Sequence, residues 1–196
     1  MKRIFDIFMS AITLVVFLPF GIILSCLIFL TSKGGVFYYQ ERIGQHAKPF
    51  MLIKFRTMKV NADATGQLTI GMRDPRITFI GYFLRKTKLD EFPQFLNVLI
   101  GQMSIVGPRP EVKKYVDLYT EEQKRVLKVK PGITDYASIK YFRENEILGN
   151  AEDPEKAYVE EIMPAKIALN MKYIENPGIG QDLRIMWMTF LKIIQD

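Results

Sequence analysis

"IFMSAITLVVFLPFGIILSCLIFLTS", Ile7 to Ser32, carries no charged side chain. Its length passes the roughly 18 to 20 apolar residues that a membrane helix needs. It is too long for the apolar region of a cleavable signal peptide, and no A-x-A site follows it. Pro19 lies near the middle and cannot donate to the carbonyl of Val15, so the helix is expected to kink or break there. Each half then has about 12 residues and a length of ~18 Å, short of a hydrocarbon core of ~30 Å. Lys2 and Arg3 precede the run, and Lys33, Arg42, Lys48 and Lys54 follow it. Basic residues mark the cytoplasmic side of a membrane, and here both flanks are basic. A helix that enters the inner leaflet, breaks at Pro19 and returns satisfies both facts. A straight, proline-kinked span also fits the run, since prolines are tolerated in membrane helices.

Beyond the run the chain reads as mostly helical with a small β component, an α+β class. "GVFYYQERIG" and "PFMLIKFRTM" are rich in aromatic and β-branched residues and are separated by turn formers, so they read as short strands. Residues 59 to 76, with Asn61, Asp63, Gly66 and Pro75, read as a polar loop. "RITFIGYFLRKT" reads as an amphipathic helix with Ile77, Ile80, Phe83 and Leu84 on one face and Arg85 and Lys86 off it. "DEFPQFLNVLIG" reads as a helix capped by Asp90 and closed by Gly101. "TEEQKRVLKVK" starts on the capping residue Thr120 and ends before Pro131. Residues 154–175 and 180–195 read as two longer helices. The last holds Trp187, Phe190 and several aliphatics, which suits either a core-packed helix or one lying on a bilayer.

The totals bound the chemistry. A chain of 196 residues suits one domain with its own core. A net charge of +6 favours anionic partners: nucleic acid, anionic lipid or phosphorylated substrates. A single cysteine, Cys26, excludes an internal disulfide and a cysteine zinc site. A single histidine, His46, in the polar loop "IGQHAKP", excludes multi-histidine metal sites and reads as solvated. Any metal would meet hard oxygen ligands, which suits Mg²⁺ or Mn²⁺.

Asp90 and Glu91 stand out in "TKLDEFPQFLNVLIGQMSIVGPRP", residues 87–110. Asp is a favoured helix N-cap, and a lone D-E-x-P requires no function. The surroundings add one. Arg85, Lys86 and Lys88 lie just before the pair, Lys54 and Arg56 lie on a predicted strand, and Arg109 follows between prolines in "GPRP". Cations at this density keep acids ionised and hold phosphates. Carboxylate, Mg²⁺ and Arg together make a phosphoryl-transfer kit, and an aspartate can itself be the nucleophile. Each piece has a plainer reading: a basic strand face for Lys54, Arg56 and Met58, a turn for "GPRP". In "KPGITDYASIKYFRENE", Tyr136, Lys140, Tyr141 and Arg143 could stack on and pair with a nucleotide, though the spacing alone is weak.

Taken together these pieces resemble the bacterial sugar transferase family, the monotopic phosphoglycosyl transferases. The elements are "KRIFDI" before the apolar helix, its proline, "VFYYQERIG", "KFRTM", "LRKTKLDEFPQFLNVLIGQMSIVGPRP", "KPGIT" and a C-terminal helical pair. They cover nearly the whole chain, in order. Many relatives read "PGITGLAQV" followed by a Gly-Arg pair where this chain has "PGITDYASIKYFRENE", and many carry Asp where this chain has Asn170. Both departures bear on sugar specificity more than on the reaction.

The resemblance implies transfer of a sugar 1-phosphate from a UDP-sugar to a polyprenyl phosphate, usually undecaprenyl phosphate. UMP would leave, and capsule, O-antigen, exopolysaccharide or glycoprotein glycan assembly would begin at the cytoplasmic face of the bacterial inner membrane. It implies a re-entrant, monotopic anchor over residues 1–33, broken at Pro19, a cytoplasmic transferase domain over residues 34–196 with amphipathic interfacial helices, and the small catalytic-domain-only form. Asp90 takes the place of the nucleophile and a Mg²⁺ ligand, Glu91 that of its acid/base or metal-positioning partner. Lys54, Arg85 and Arg109 match the basic residues around the phosphates, and Arg143 lies near an arginine associated with nucleotide binding. The partners implied are the UDP-sugar, the polyprenyl phosphate, inner-membrane lipids and, as one option, a second copy in a homodimer. The rival from another class is a membrane-anchored basic protein that binds anionic lipid or nucleic acid without catalysis. No known nucleic-acid motif supports it, and aromatics do not interleave with basics as a stacking platform would need.

Overall fold

A computed structural model describes residues 1–62, 66, 68–71 and 74–195. Asp63, one of the residues of the predicted polar loop, lies outside them. Helix α1 runs from Lys2 to Thr31 with Pro19 inside it. The expected break at Pro19 is therefore not an interruption of the helix. Proline removes one N–H from the ladder, while its ring holds φ in the helical range, so the hydrogen bonds on either side can carry the turn. Among the described residues this helix alone is long and apolar enough to cross a membrane, by length and composition. At 1.5 Å per residue it is ~45 Å long.

Its contacts are polar at one end and apolar along the rest. Near the N-terminus Lys2 pairs with Asp182 at 2.6 Å, and Arg3 donates to the carbonyls of Val98 and Leu99. The buried Asp6 accepts from the Ser104 hydroxyl at 2.8 Å and from the Ile105 N–H. Further along, Phe17 stacks on Phe92, and Leu24 and Ile28 pack with Phe55 and Leu84. Both ends of α1 thus dock on the body of the protein. Its other faces leave Phe8, Val15, Val16, Leu18, Phe20, Ile23 and Phe29 exposed.

The two predicted strands form an antiparallel hairpin, β1 (Phe37–Ile43) and β2 (Pro49–Phe55), with Phe37 opposite Phe55 and Ile43 opposite Pro49. The link between them holds His46, exposed as expected and at positive φ. Helix α2 (Phe79–Lys86) starts on Thr78, whose hydroxyl accepts from the Gly81 N–H at 3.0 Å. Gly81 is required there: a Cβ would stand 2.0 Å from the Thr57 carbonyl oxygen. Leu84 is buried as predicted, but Phe83 faces outward.

A 3-10 turn, Leu89–Glu91, and helix α3 (Gln94–Leu99) replace the single predicted helix. Asp90 is not its cap. It lies inside the 3-10 turn, and Pro93 holds the N-cap position of α3 without a side-chain bond. The proline at N-cap explains the split, since it has no N–H to continue the turn before it. Gly101, at φ 91°, closes α3 as expected. Strands β3 (Ser104–Val106) and β4 (Gly132–Thr134) form a short parallel pair. Between them lie α4 (Lys113–Val116) and a 3-10 stretch, Gln123–Lys128, opened by Thr120 and Gln123 bonding each other's backbone.

The C-terminal third is helical: α5 (Tyr136–Lys140), α6 (Glu144–Gly149), then α7 (Pro154–Ala157), a π-turn and α8 (Met163–Glu175), and finally α9 (Ile179–Gln195). The main core gathers Phe50 and Leu52 of β2, Val98 of α3, Ile105 and Val106 of β3, Tyr173 of α8 and Ile185 of α9. Burying each such side chain is worth ~1.5–3 kcal/mol. In α9 the core-packed reading holds on one side, where Ile185 is buried and Met186 packs against the same cluster. Leu183, Trp187, Phe190 and Ile194 point outward, with Trp187 stacked on Phe190.

Candidate active site

The site is built where β2, the 3-10 turn and the loop after β3 converge. Lys88 leaves α2 in the left-handed conformation, φ 57°, and turns the chain into Leu89–Glu91. Leu89 and Phe92 pack with Phe55, Leu84 and Ile28, which fixes the turn between them. Asp90 is buried there at 7% exposure. Asn97 of α3 sets β2 against this turn: its amide donates to the Met51 carbonyl at 2.8 Å and accepts from the Ile53 N–H at 3.1 Å. That register carries Lys54 to the acids, with Nζ 3.9 Å from Glu91 Oε1.

Arg109 reaches the same carboxylate from the "GPRP" loop. Its Nη1 donates to Glu91 Oε2 at 2.9 Å and its Nη2 to Oε1, a two-pronged pair. The loop is tied down on several sides. The Gly132 N–H donates to the Pro108 carbonyl at 2.9 Å, the Arg109 N–H to Asp135 Oδ2 at 2.8 Å, and Arg42 Nη1 to the Pro110 carbonyl at 3.1 Å.

These contacts separate two neighbouring acids. Burial pushes the Asp90 carboxyl up, and the charge of Glu91 adds to that, against the pull of Lys54, Arg85 and Lys88. Burial would push Glu91 up too, but the charges of Arg109 and Lys54 and the Arg109 hydrogen bonds hold it well below the usual carboxylate range. Glu91 in turn raises the Arg109 guanidinium above its ordinary value. Burial is the largest influence on Lys54 and brings it down to about 8, although Glu91 favours its charged form.

Of the residues expected at the site, Asp90, Glu91, Lys54 and Arg109 come together. Arg85 and Arg143 form a second group. Both line a cleft of about 240 Å³ with Lys86, Lys88, Tyr82 and Phe142. Arg85 also donates to Thr69 Oγ1 at 2.8 Å, and Arg143 lies 3.8 Å from Glu146. The Lys88 ammonium sits over the Phe142 ring at 4.7 Å and that of Lys192 at 5.7 Å. Lys88 and Arg85 face the cleft and also bear on Asp90, so the two groups adjoin. Pro19 is exposed on α1. Tyr136 and Tyr141 do not line the cleft: they pack on the two larger cores. Arg56 serves the hairpin, donating to the carbonyls of Gly35 and Phe37.

Sequence reasoning missed Phe142, Asn97 and Asp135 as contributors. Asp135 had a signal: it stands before a short helix and three residues ahead of Ser138, whose N–H it accepts at 2.5 Å as N-cap. The other two had none at the level of spacing.

The family described as bacterial sugar transferase matches residues 1–196, and the chain belongs to it. The chain is 37% identical over 194 residues to a UDP-glucose:undecaprenyl-phosphate glucose-1-phosphate transferase of Klebsiella pneumoniae, covering 97% of this chain and 39% of that protein. It is 35% identical to the Escherichia coli (strain K12) protein of the same name, covering 98% and 40%. The chain thus spans about two fifths of the length of these two relatives. A relative of closer length is the exopolysaccharide production protein PSS of Rhizobium leguminosarum bv. phaseoli, 38% identical over 197 residues, covering 96% of this chain and 92% of that one.

Proposed function

We propose that the protein transfers a sugar 1-phosphate from a UDP-sugar to a polyprenyl phosphate, most simply undecaprenyl phosphate, as the first membrane step of a bacterial surface or secreted glycan. The observation that carries it is the split acid pair. Asp90 is buried and raised in basicity, Glu91 is locked to Arg109, and both adjoin a cleft lined by Arg85, Lys86, Lys88 and Arg143. A diphosphate fits such a cationic cleft, and Phe142 and Tyr82 add aromatic surface for a base. The names of the relatives, which include undecaprenyl-phosphate glucose-1-phosphate transferases, support the same substrates.

In this reading an Asp90 carboxylate oxygen attacks the sugar-bearing β-phosphorus. The bond from that phosphorus to the bridging oxygen breaks, and UMP leaves with the bridging oxygen. A phosphate oxygen of the lipid then attacks the phosphosugar on Asp90, frees the carboxylate and forms the polyprenyl diphosphate sugar. Lys54 and Arg109 neutralise charge on the transferring group. Glu91 holds both cations in place. Asp90 would hold Mg²⁺, or Mn²⁺, as a carboxylate ligand together with substrate phosphate oxygens and water, since Mg²⁺ binds through one or two carboxylates plus phosphates and water. When bound it would neutralise charge on the diphosphate. Glu91, with both oxygens on Arg109, is a ligand only where that pair opens.

The anchor is residues 1–33 and the catalytic body is residues 34–196, placed at the cytoplasmic face of the inner membrane. The docking of both ends of α1 on one body supports a monotopic arrangement over a straight span. Exposed apolar side chains on α2, at the end of α3 and on α9, all of which touch α1, support an interfacial setting: Phe79, Phe83, Ile100, Trp187 and Phe190.

The test is intact mass spectrometry after mixing enzyme, Mg²⁺ and UDP-sugars without lipid. A phosphosugar adduct that disappears in Asp90→Asn supports the two-step reading. An adduct retained in Asp90→Asn overturns the nucleophile. Multiple-turnover UMP release with a polyprenyl phosphate acceptor separates this reading from a non-catalytic anion-binding role.

A further inference from the structure

The "GPRP" loop and the segment Lys130–Asp135 approach each other as closely as backbones can. A Cβ on Gly132 would stand 2.1 Å from the Gly107 N, and one on Gly107 2.5 Å from the Lys130 carbonyl oxygen. Only glycines fit at this crossing. The crossing ends on Asp135, which has no solvent exposure. One of its oxygens caps α5 through the Ser138 N–H, and the other accepts the Arg109 N–H. A helix cap needs one oxygen. The second is spent on the backbone of the residue whose guanidinium holds Glu91.

We infer that Asp135 is a positioning residue for Arg109, setting the backbone from which its guanidinium reaches Glu91 and the transferring phosphate. The same carboxylate acts on the charge of Arg109, together with Glu91 and Glu144. A rigid start matters because Arg109 lies on a loop, and its side chain has many rotamers. Prolines 108 and 110 fix φ on both sides of it, and Asp135 fixes the remaining N–H. The inference rests on the proposed transferase reading for its kinetic consequence, but not for its geometric one.

Two variants separate this role from capping. Ser and Asn are both favoured N-caps, so α5 keeps its cap in Asp135→Ser and Asp135→Asn. Neither serves Arg109 at the same time. The Ser hydroxyl is one bond shorter, and an Asn that caps with its oxygen turns its NH₂ toward the Arg109 N–H. The experiment uses the full chain in detergent. Arginine modification by phenylglyoxal is followed by peptide mass at Arg109, beside thermal unfolding and UMP release. The expected result is a small drop in unfolding temperature, since the Arg109 N–H loses its acceptor while the α5 cap is kept, faster modification of Arg109 in both variants, and a loss on the order of 10²-fold in kcat with a smaller change in KM. Arg109 modified at the wild-type rate in both variants overturns the inference, whatever the kinetics. A wild-type protein that releases no UMP with any UDP-sugar and polyprenyl phosphate overturns the transferase reading instead, and the Arg109 modification rates still decide the role of Asp135.

Discussion

Arg109 holds both carboxylate oxygens of Glu91, and this pairing, beside the burial of Asp90, gives two adjacent acids opposite electrostatics. Glu91 is pinned in its charged form. Asp90, one residue earlier, is left buried with a raised affinity for a proton and for anything else that neutralises it. Adjacent residues in an extended strand would point to opposite faces. The 3-10 turn instead places both acids on the inner side, within the influence of Lys54.

The pairing predicts the behaviour of Arg109→Lys. Lysine keeps the charge but not the fork, so one of the two bonds to Glu91 is lost. Transfer should fall by ~10²–10³-fold in kcat. Glu91, released from part of its stabilisation, should rise toward its ordinary value. Its ionised form is then lost at higher pH than in the wild type, and the acid limb of kcat/KM moves upward. A pH profile of UMP release checks this; an unmoved acid limb would show that Glu91 does not take its state from Arg109.

Lys54 sets the alkaline side. Burial brings it down to about 8, against ~10.4 in an unfolded chain. Above pH 8 the folded protein loses the cation that the proposed transfer sets against the phosphates, so KM for the UDP-sugar should rise there. Stability moves the other way. Between the two values the unfolded chain binds the extra proton, and the contribution of Lys54 to stability rises with pH through that window. Lys54→Arg keeps its charge throughout and should carry the alkaline rise in KM to higher pH. Steady-state kinetics at pH 7 to 10 on both proteins decide it.

Gly81 predicts a coupling between packing and the cleft. Its missing Cβ lets α2 rest on the Thr57 carbonyl, where any side chain would collide. Gly81→Ala should cost about 1–3 kcal/mol through overpacking. Relief requires α2 to move away, and α2 carries Arg85 at its end. Chemical denaturation should show the loss, and UDP binding by calorimetry should weaken with it. Weakened stability with unchanged UDP affinity would mean that Arg85 does not depend on this contact.

How much of this was legible in the chain follows the range of each interaction. The hairpin, α2 and the two C-terminal helices were legible because alternation and helical periodicity are local. The gathering of charge around "LDEFPQ" and "GPRP" was legible in the chain, and Lys54, Asp90, Glu91 and Arg109 do meet. The cap at Asp90 was misread because Pro93 moved the start of α3 past the acids. Between a kink and a break at Pro19 the sequence could not choose, because a proline weakens a helix locally, whereas the contacts that line up α1 come from Phe92, Phe55 and Leu84, far off in sequence; α1 runs through Pro19 as one helix. Asn97 and Phe142 were illegible for the same reason. Their roles are set by what β2 and Lys88 bring to them.

The docking of α1 supplies the last prediction. Asp6 is buried between Ser104 and Ile105, and Lys2 and Arg3 are tied to Asp182 and to α3, while Ile28 sits against Phe55 and Leu84. A straight span would carry these two ends ~45 Å apart to opposite faces of a bilayer, which one body on one side cannot hold. In a Cys26→Ser background, single cysteines at Met1 and at Gly34 should therefore react with a membrane-impermeant maleimide from the same side, that of the catalytic body. Reaction from opposite sides would establish a span and remove the monotopic reading. Asp6→Ala tests what holds the first end. It leaves the Ser104 hydroxyl and the Ile105 N–H without their acceptor, a loss of about 1–3 kcal/mol. Thermal unfolding in detergent should register it, and the residue-1 probe should react faster than in the parent as the first turns of α1 come off β3.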